Sequence, residues 1–174
     1  MKRRTILNMS AMAVFGLALI PGNAISQQKS LKEQLVGTWI LVSNDITPRN
    51  GPKQPFYGAD TSVKGVLILD AGGRYALVQG RPDRPKFKAA NRLSLDATPD
   101  ELKAAILGFG ANVGTWSVNE ADKTLARKYE IALIPNNDGL DRKDTISLSG
   151  DTLTLVRTQA DSGARTEAVY RRAK

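Results

Sequence analysis

In the stretch TLARKYEIAL an arginine and a tyrosine, Arg127 and Tyr129, stand two residues apart among apolar neighbours. Alternation along a strand assigns Leu125, Arg127, Tyr129, Ile131 and Leu133 to one face, and Ala126, Lys128, Glu130 and Ala132 to the other. The first set is the more apolar and is expected to face inward. One cation and one phenol are then set inside, or at the mouth of, an apolar enclosure. A buried arginine without a partner is expensive, so Arg127 has to meet either a carboxylate of the chain or an anionic ligand. Tyr75, Leu77 and Gln79 alternate in the same way with Ala76 and Val78. Phe56 and Tyr57 stand in a loop, where they serve either as a lid over an open end or as rings anchored in the core.

The residue types that are missing limit the chemistry. There is no histidine and no cysteine, which excludes thiol nucleophiles, Ser-His-Asp triads and histidine-containing zinc sites. Asp138 and Asp141 lie close together, but Arg142 and Lys143 oppose a cation there. No phosphate-cradling glycine loop or dinucleotide fingerprint is present. Metal ligands, catalytic residues and cofactors are therefore not assigned. An enzyme on this scaffold would need Tyr129 or Tyr75 as acid and Glu130 or an aspartate as base, for an isomerisation or cyclisation, with carboxylates of raised pKa in an apolar pocket.

The elements that must position these side chains are mostly strands. A helical half turn in SLKEQL precedes a strand, and DITPRNGPKQPFYGADTS is a loop rich in Pro, Gly and Asn. VKGVLILDAGGRYALVQG reads as a hairpin around Asp70 to Gly73. The run from Arg81 to Ala97 lacks periodicity, and its cations Arg81, Arg84, Lys86, Lys88 and Arg92 form either a basic rim or a solvated loop. One short helix follows, with Thr98 as N-cap, Pro99 at its first position, Glu101 completing a capping box, and Gly108 as its stop. It is expected to plug an opening or to cover the outer face of Val66 to Leu69, which is apolar on both sides. ANVGTWSVNE and TLARKYEIALIP flank a turn at Glu120 to Lys123, and three further strands surround Gly150-Asp151 and Asp161 to Gly163. The pattern predicts an all-β fold of roughly eight antiparallel strands, as a sandwich or a closed barrel. Closure is the expectation, since it removes exposed edges.

VGTW occurs twice, at Val36 to Trp39 and at Val113 to Trp116, and these are the only two tryptophans. Such a glycine lets another segment approach the backbone, and such a tryptophan fills the narrow end of a small barrel. Trp116 is also a candidate wall of the ligand site, with Tyr75, Leu77, Phe56, Tyr57, Arg127 and Tyr129. LVGTWILVSN, PFYGADTSVKGVLILDAGGRYALV, GTWSVNEADKTL, SLSGDTLTLVRT and the terminal VYRR resemble, in order and spacing, the bacterial lipocalin-like domain family over residues 31–172. The resemblance implies a lipocalin-like β-barrel in which Gly37 and Trp39 belong to the Gly-x-Trp signature. It also implies that a last-strand arginine lies across the Trp39 ring, with Arg171 the candidate and Arg172 beside it. On this reading one VGTW closes the barrel and the other begins the strand after the helix. The histidine pair that family members often carry is replaced here by Arg127 and Lys128. Where members tend to have an arginine before the Gly-Asp strand, this chain has Asp144.

The first residues join a basic start (Lys2, Arg3, Arg4), an apolar run from Ala11 to Ile20 and the small-residue pattern Ala24-Ile25-Ser26. They read as a signal peptide over 1–26, exported by the general route or, through Arg3-Arg4, by a twin-arginine route. The run is too short and too soon interrupted by Pro21 and Gly22 for a lasting span, so no stable membrane insertion is expected. Its removal takes away three basic and no acidic residues, so the formal charge falls from +8 to +5. That excess is too mild to argue for nucleic acid. Residues 27–174 form one domain. The sequence predicts a periplasmic or secreted protein whose barrel lumen holds a small apolar or amphipathic molecule, with an anionic end near Arg127. The alternatives are the tyrosine and carboxylate enzyme above and a packed barrel acting as a protein-interaction module.

Overall fold

The computed structural model describes residues 29–58, 62–88 and 96–174. The expected signal peptide and Arg92 lie outside the described residues. Helix α1 (Leu31–Leu35) leads into strand β1 (Gly37–Thr47), then β2 (Gln54–Pro55), β3 (Lys64–Leu69) and β4 (Arg74–Gly80). Helix α2 (Pro99–Leu107) is followed by β5 (Phe109–Asn119), β6 (Thr124–Ala132), a single 3-10 turn at Pro135–Asn137, β7 (Asp141–Ser149), β8 (Thr152–Thr158) and β9 (Arg165–Arg172). Every strand pairs antiparallel with its neighbour in the order β2-β1-β3-β4-β5-β6-β7-β8-β9, and β1 also pairs with β9. The sheet is thus a closed barrel to which β2 is a short addition. No helix of the described residues is long and apolar enough to cross a membrane.

The lower half is packed with aliphatic and aromatic side chains, among them Leu35, Trp39, Leu67, Leu69, Leu125 and Leu153, all essentially without solvent exposure. Burying each such side chain stabilises the fold by about 1.5–3 kcal/mol. Helix α1 caps this end. Ser30 and Glu33 form its capping box, Glu120 accepts hydrogen bonds from the Leu31 and Lys32 amides (3.2 Å each), and the Trp39 indole donates to the Leu35 carbonyl at 2.8 Å.

The two VGTW copies have different structural roles. Gly37 opens β1 at φ +136°, a backbone state that side-chain-bearing residues rarely adopt, with the Arg172 guanidinium directly above it,. Gly114 lies in the middle of β5, so the second copy does not begin its strand. It faces a bulge in β6, where the register passes from Val113↔Ile131 to Gly114↔Tyr129 and leaves Glu130 as the extra residue,. A Cβ at Gly114 would stand 1.9 Å from the Lys128 carbonyl oxygen.

That bulge corrects one sequence expectation. Leu125, Arg127 and Tyr129 face inward, but beyond Glu130 the alternation reverses, so Ile131 is exposed and Ala132 turns to the core. A second correction concerns α2. Its cap, first turn and stop are those expected, with Thr98 and Glu101 completing a capping box and Gly108 ending it. It rests against β5, however, and buries none of its own residues, while Ile68 and Val78 on the outer wall stay exposed. The helix neither plugs the barrel nor covers β3. Strand β1 also runs further into the expected loop, to Thr47, because β9 pairs it as far as Thr47↔Arg165.

Candidate functional site

Above the apolar layer the interior turns polar. The inward positions there are Asn44 of β1, Gln79 of β4, Asn112 of β5, Arg127 and Tyr129 of β6, Asp144 of β7, Arg157 of β8, and Thr166 and Tyr170 of β9. With Phe56, Leu77, Leu155 and Ala168 they enclose a cavity of about 100 Å³. That is room for about three waters or the polar head of a ligand, and it is smaller than the ~300–1,000 Å³ of whole-ligand pockets.

Arg127 is the central charge of the cavity. Its Nη2 donates to Asp144 Oδ2 at 2.6 Å, and both side chains are almost fully buried. Asp144 also has Arg157 Nη1 at 3.6 Å from Oδ1. Burial works against the Arg127 charge, but the Asp144 carboxylate outweighs it and holds the guanidinium firmly protonated,. The Tyr75 ring lies beneath it, 5.6 Å from the guanidinium carbon. Among the described residues Arg127 Nε and Nη1 have no hydrogen-bond partner, nor does Gln79 Oε1. Two of the three guanidinium nitrogens of a buried cation are thus unengaged, in a chamber with two arginines and one carboxylate. Such a set favours an anion, which would accept from Arg127 while Gln79 Oε1 stands ready to receive a hydroxyl or amide proton.

The structure separates the expected site residues. Arg127, Tyr129, Leu77 and Phe56 line the cavity. Tyr75 sits one layer below, its hydroxyl bonded to Asn112 Oδ1 at 2.9 Å. Tyr57 packs edge-on against Phe56 at 5.1 Å, and its hydroxyl meets Gln79 from the side of the gap between β1 and β3. Trp116 is not a wall of the cavity. Its indole donates to the Asp70 carbonyl at the closed end, with Lys32 of α1 near its ring. The cation on Trp39 is Arg172, 4.1 Å from the ring centre, and not Arg171. Register gives the reason: Trp39 is the direct partner of Arg172, whereas Arg171 pairs with Ile40 on the outer face. Arg172 also donates to the Val36 carbonyl at 3.0 Å and to that of Gln34. Glu130, the carboxylate considered for an enzyme, points outward and pairs with Arg74.

Asn44, Asn112, Asp144, Arg157, Thr166 and Tyr170 were not singled out for the site in the sequence. Asp144 carried a usable signal, since alternation through Ile146 and Leu148 sets it inward.

Burial raises the pKa of Tyr75 above the ordinary tyrosine value despite the nearby Arg127, and it pushes Tyr170 up to about 12. A group that holds its proton more tightly when folded stabilises the native state below the ordinary value of 10.0 and loses that contribution as pH rises toward the folded value,. On alkaline titration the tyrosinate absorbance of these residues should therefore emerge together with loss of the circular dichroism signal. A phenolate band complete near pH 10 in a still-folded protein would contradict this burial.

A closed antiparallel barrel, packed at one end and holding a small polar-walled chamber toward the other, defines a calyx for small molecules. The lipocalin-like domain model matches residues 36–173, and the chain belongs to the lipocalin-like domain family. Lipocalin-like barrels bind small hydrophobic molecules. A crystal structure of a variant of the fluorescent protein UnaG is similar at 15% identity and a TM-score of 0.37, over 81% of this chain and 97% of that chain. No curated protein matches the chain by sequence.

Proposed function

We propose that this protein is an exported carrier of a small amphipathic molecule, whose anionic head, a carboxylate or its like, enters the upper chamber and bonds to Arg127. The observation that carries this reading is the pair of unpartnered nitrogens on a buried, charged arginine beside a cavity of about 100 Å³. A cavity of that size takes the head group, so the apolar remainder of the ligand would lie toward Phe56 and the mouth. Export rests on the N-terminal pattern of basic, apolar and small residues in 1–26. Glu130, the base named for the enzyme reading, faces outward in an ion pair with Arg74, and the buried Asp144 is held by Arg127, which leaves that reading without support.

The test is native mass spectrometry of the protein recovered from the cell envelope fraction, followed by denaturing extraction of whatever travels with it. A stoichiometric small acid is expected. Arg127→Lys keeps a cation for Asp144 but removes the spare guanidinium donors, and it should lower ligand retention at least about tenfold, the equivalent of one charge-assisted hydrogen bond. Equal retention by wild type and Arg127→Lys would overturn the assignment of the head group to Arg127.

A further inference from the structure

The outer wall over β1, β3, β4, β5 and β6 is apolar as well as the inner one. Cross-strand register aligns Ile40 with Val66 and Val66 with Val78, and a second row passes from Ile68 through Ala76 and Val113 to Ile131. Ile68 is 42%, Val78 39% and Ile131 62% exposed. Where this wall meets the loop after β4 it deepens into a groove of about 290 Å³ that includes Val66, Val78, Pro82 and Phe109. A contiguous apolar field of this kind on a folded domain marks an interaction surface.

Most of the charges around it are positive. Lys64, Lys128 and Arg171 border the field and take part in no ion pair among the described residues. Arg84 lies over the Phe109 ring at 4.6 Å. The nearby acids, Asp83 and Glu130, are already held by Arg81 and Arg74. Two copies of the chain meeting here would press like charges together. A protein partner would want aromatic anchors seated in pockets, whereas this wall is a barrel side of short aliphatic chains with one ring at its margin. The geometry points to an anionic phospholipid surface as the partner of this wall: the aliphatic side chains enter the headgroup boundary and the bordering cations pair with lipid phosphates. The contact is peripheral and does not depend on what the lumen holds.

The experiment is co-sedimentation of the chain with vesicles of phosphatidylglycerol and phosphatidylcholine, against vesicles of phosphatidylcholine alone. Wild type is expected on the anionic vesicles only, and raised salt should release it. Ile68→Ser/Val78→Ser and Lys64→Glu/Lys128→Glu should each lower binding by roughly fivefold or more, on the order of one interfacial cation's contribution. All four side chains point outward, so an unchanged near-ultraviolet spectrum certifies the fold. Each variant carries the same N-terminal segment as wild type, so any affinity of that segment for lipid cancels in the comparison. Binding that is equal on both vesicle types, or unaltered by the serine pair, overturns the proposal. So does sedimentation equilibrium in which wild type dimerises and the serine pair does not, since that outcome gives the wall to a second copy.

Discussion

Replacing Gly114 with alanine should abolish the native barrel or cost it well over about 3 kcal/mol, beyond the usual range for overpacking. Ordinary overpacking is relieved by rotating or shifting a side chain. Here the new methyl group would meet the backbone carbonyl of Lys128 at 1.9 Å and the Glu130 amide nitrogen at 3.0 Å. Neither can retreat without dissolving the β6 bulge. That bulge is what keeps Tyr129 turned inward while Glu130 reaches Arg74 outside. Loss of soluble protein, or a denaturation midpoint far below that of wild type, is the expected result. Gly72→Ala is the control, because its Cβ would find only the Asp70 side chain, at 3.4 Å, and its effect should stay within about 1 kcal/mol. If the two alanine variants unfold at similar denaturant concentrations, the close approach of β5 and β6 is not as described.

The second large effect belongs to the buried ion pair. Asp144→Ala should cost about 3–5 kcal/mol, since it leaves the Arg127 charge buried with no carboxylate. Arg127→Met/Asp144→Leu should recover most of that loss, because replacing both charges with apolar groups removes the desolvation penalty along with the attraction. Chemical denaturation of the single, the double and the wild type closes the comparison. A double variant near wild-type stability that no longer retains ligand would mean that the pair persists for binding and not for folding. A double variant as unstable as the single would mean that the upper chamber cannot be filled by apolar side chains, and that its polar network of Asn44, Asn112 and Thr166 depends on the two charges.

Much of this was legible because alternation is a local property. Leu125, Arg127 and Tyr129 could be turned inward from their own strand, as could Tyr75 and Leu77. What failed depended on a partner strand. The reversal at Ile131 follows from a bulge that exists because Gly114 lies opposite, and no feature of TLARKYEIAL alone announces it. Arg172 was the better reading for the Trp39 cation even from sequence, since a core Tyr170 sets the parity of β9 and puts Arg171 outside. Trp116 was misplaced for another reason: alternation gives its face, but only register decides whether an inward residue lies at the closed end or at the chamber. The polar chamber was half visible, in Arg127 and Tyr129. The rest, from Asn44 through Asp144 to Tyr170, is assembled from five other strands whose relative heights no single segment encodes.

The β1 to β9 pairing has a consequence for how the protein is made. Trp39 is the register partner of Arg172 across the seam, so the first long strand has no partner on that side until the last strand of the barrel has been made. Contacts so distant along the chain form late and slowly. Until β9 has emerged the polypeptide is therefore an open ribbon, and the seam closes only once that strand is free to pair. A chain shortened by its final strand would remain in that open form, with the edges of β1 and β8 unpaired and available to other chains.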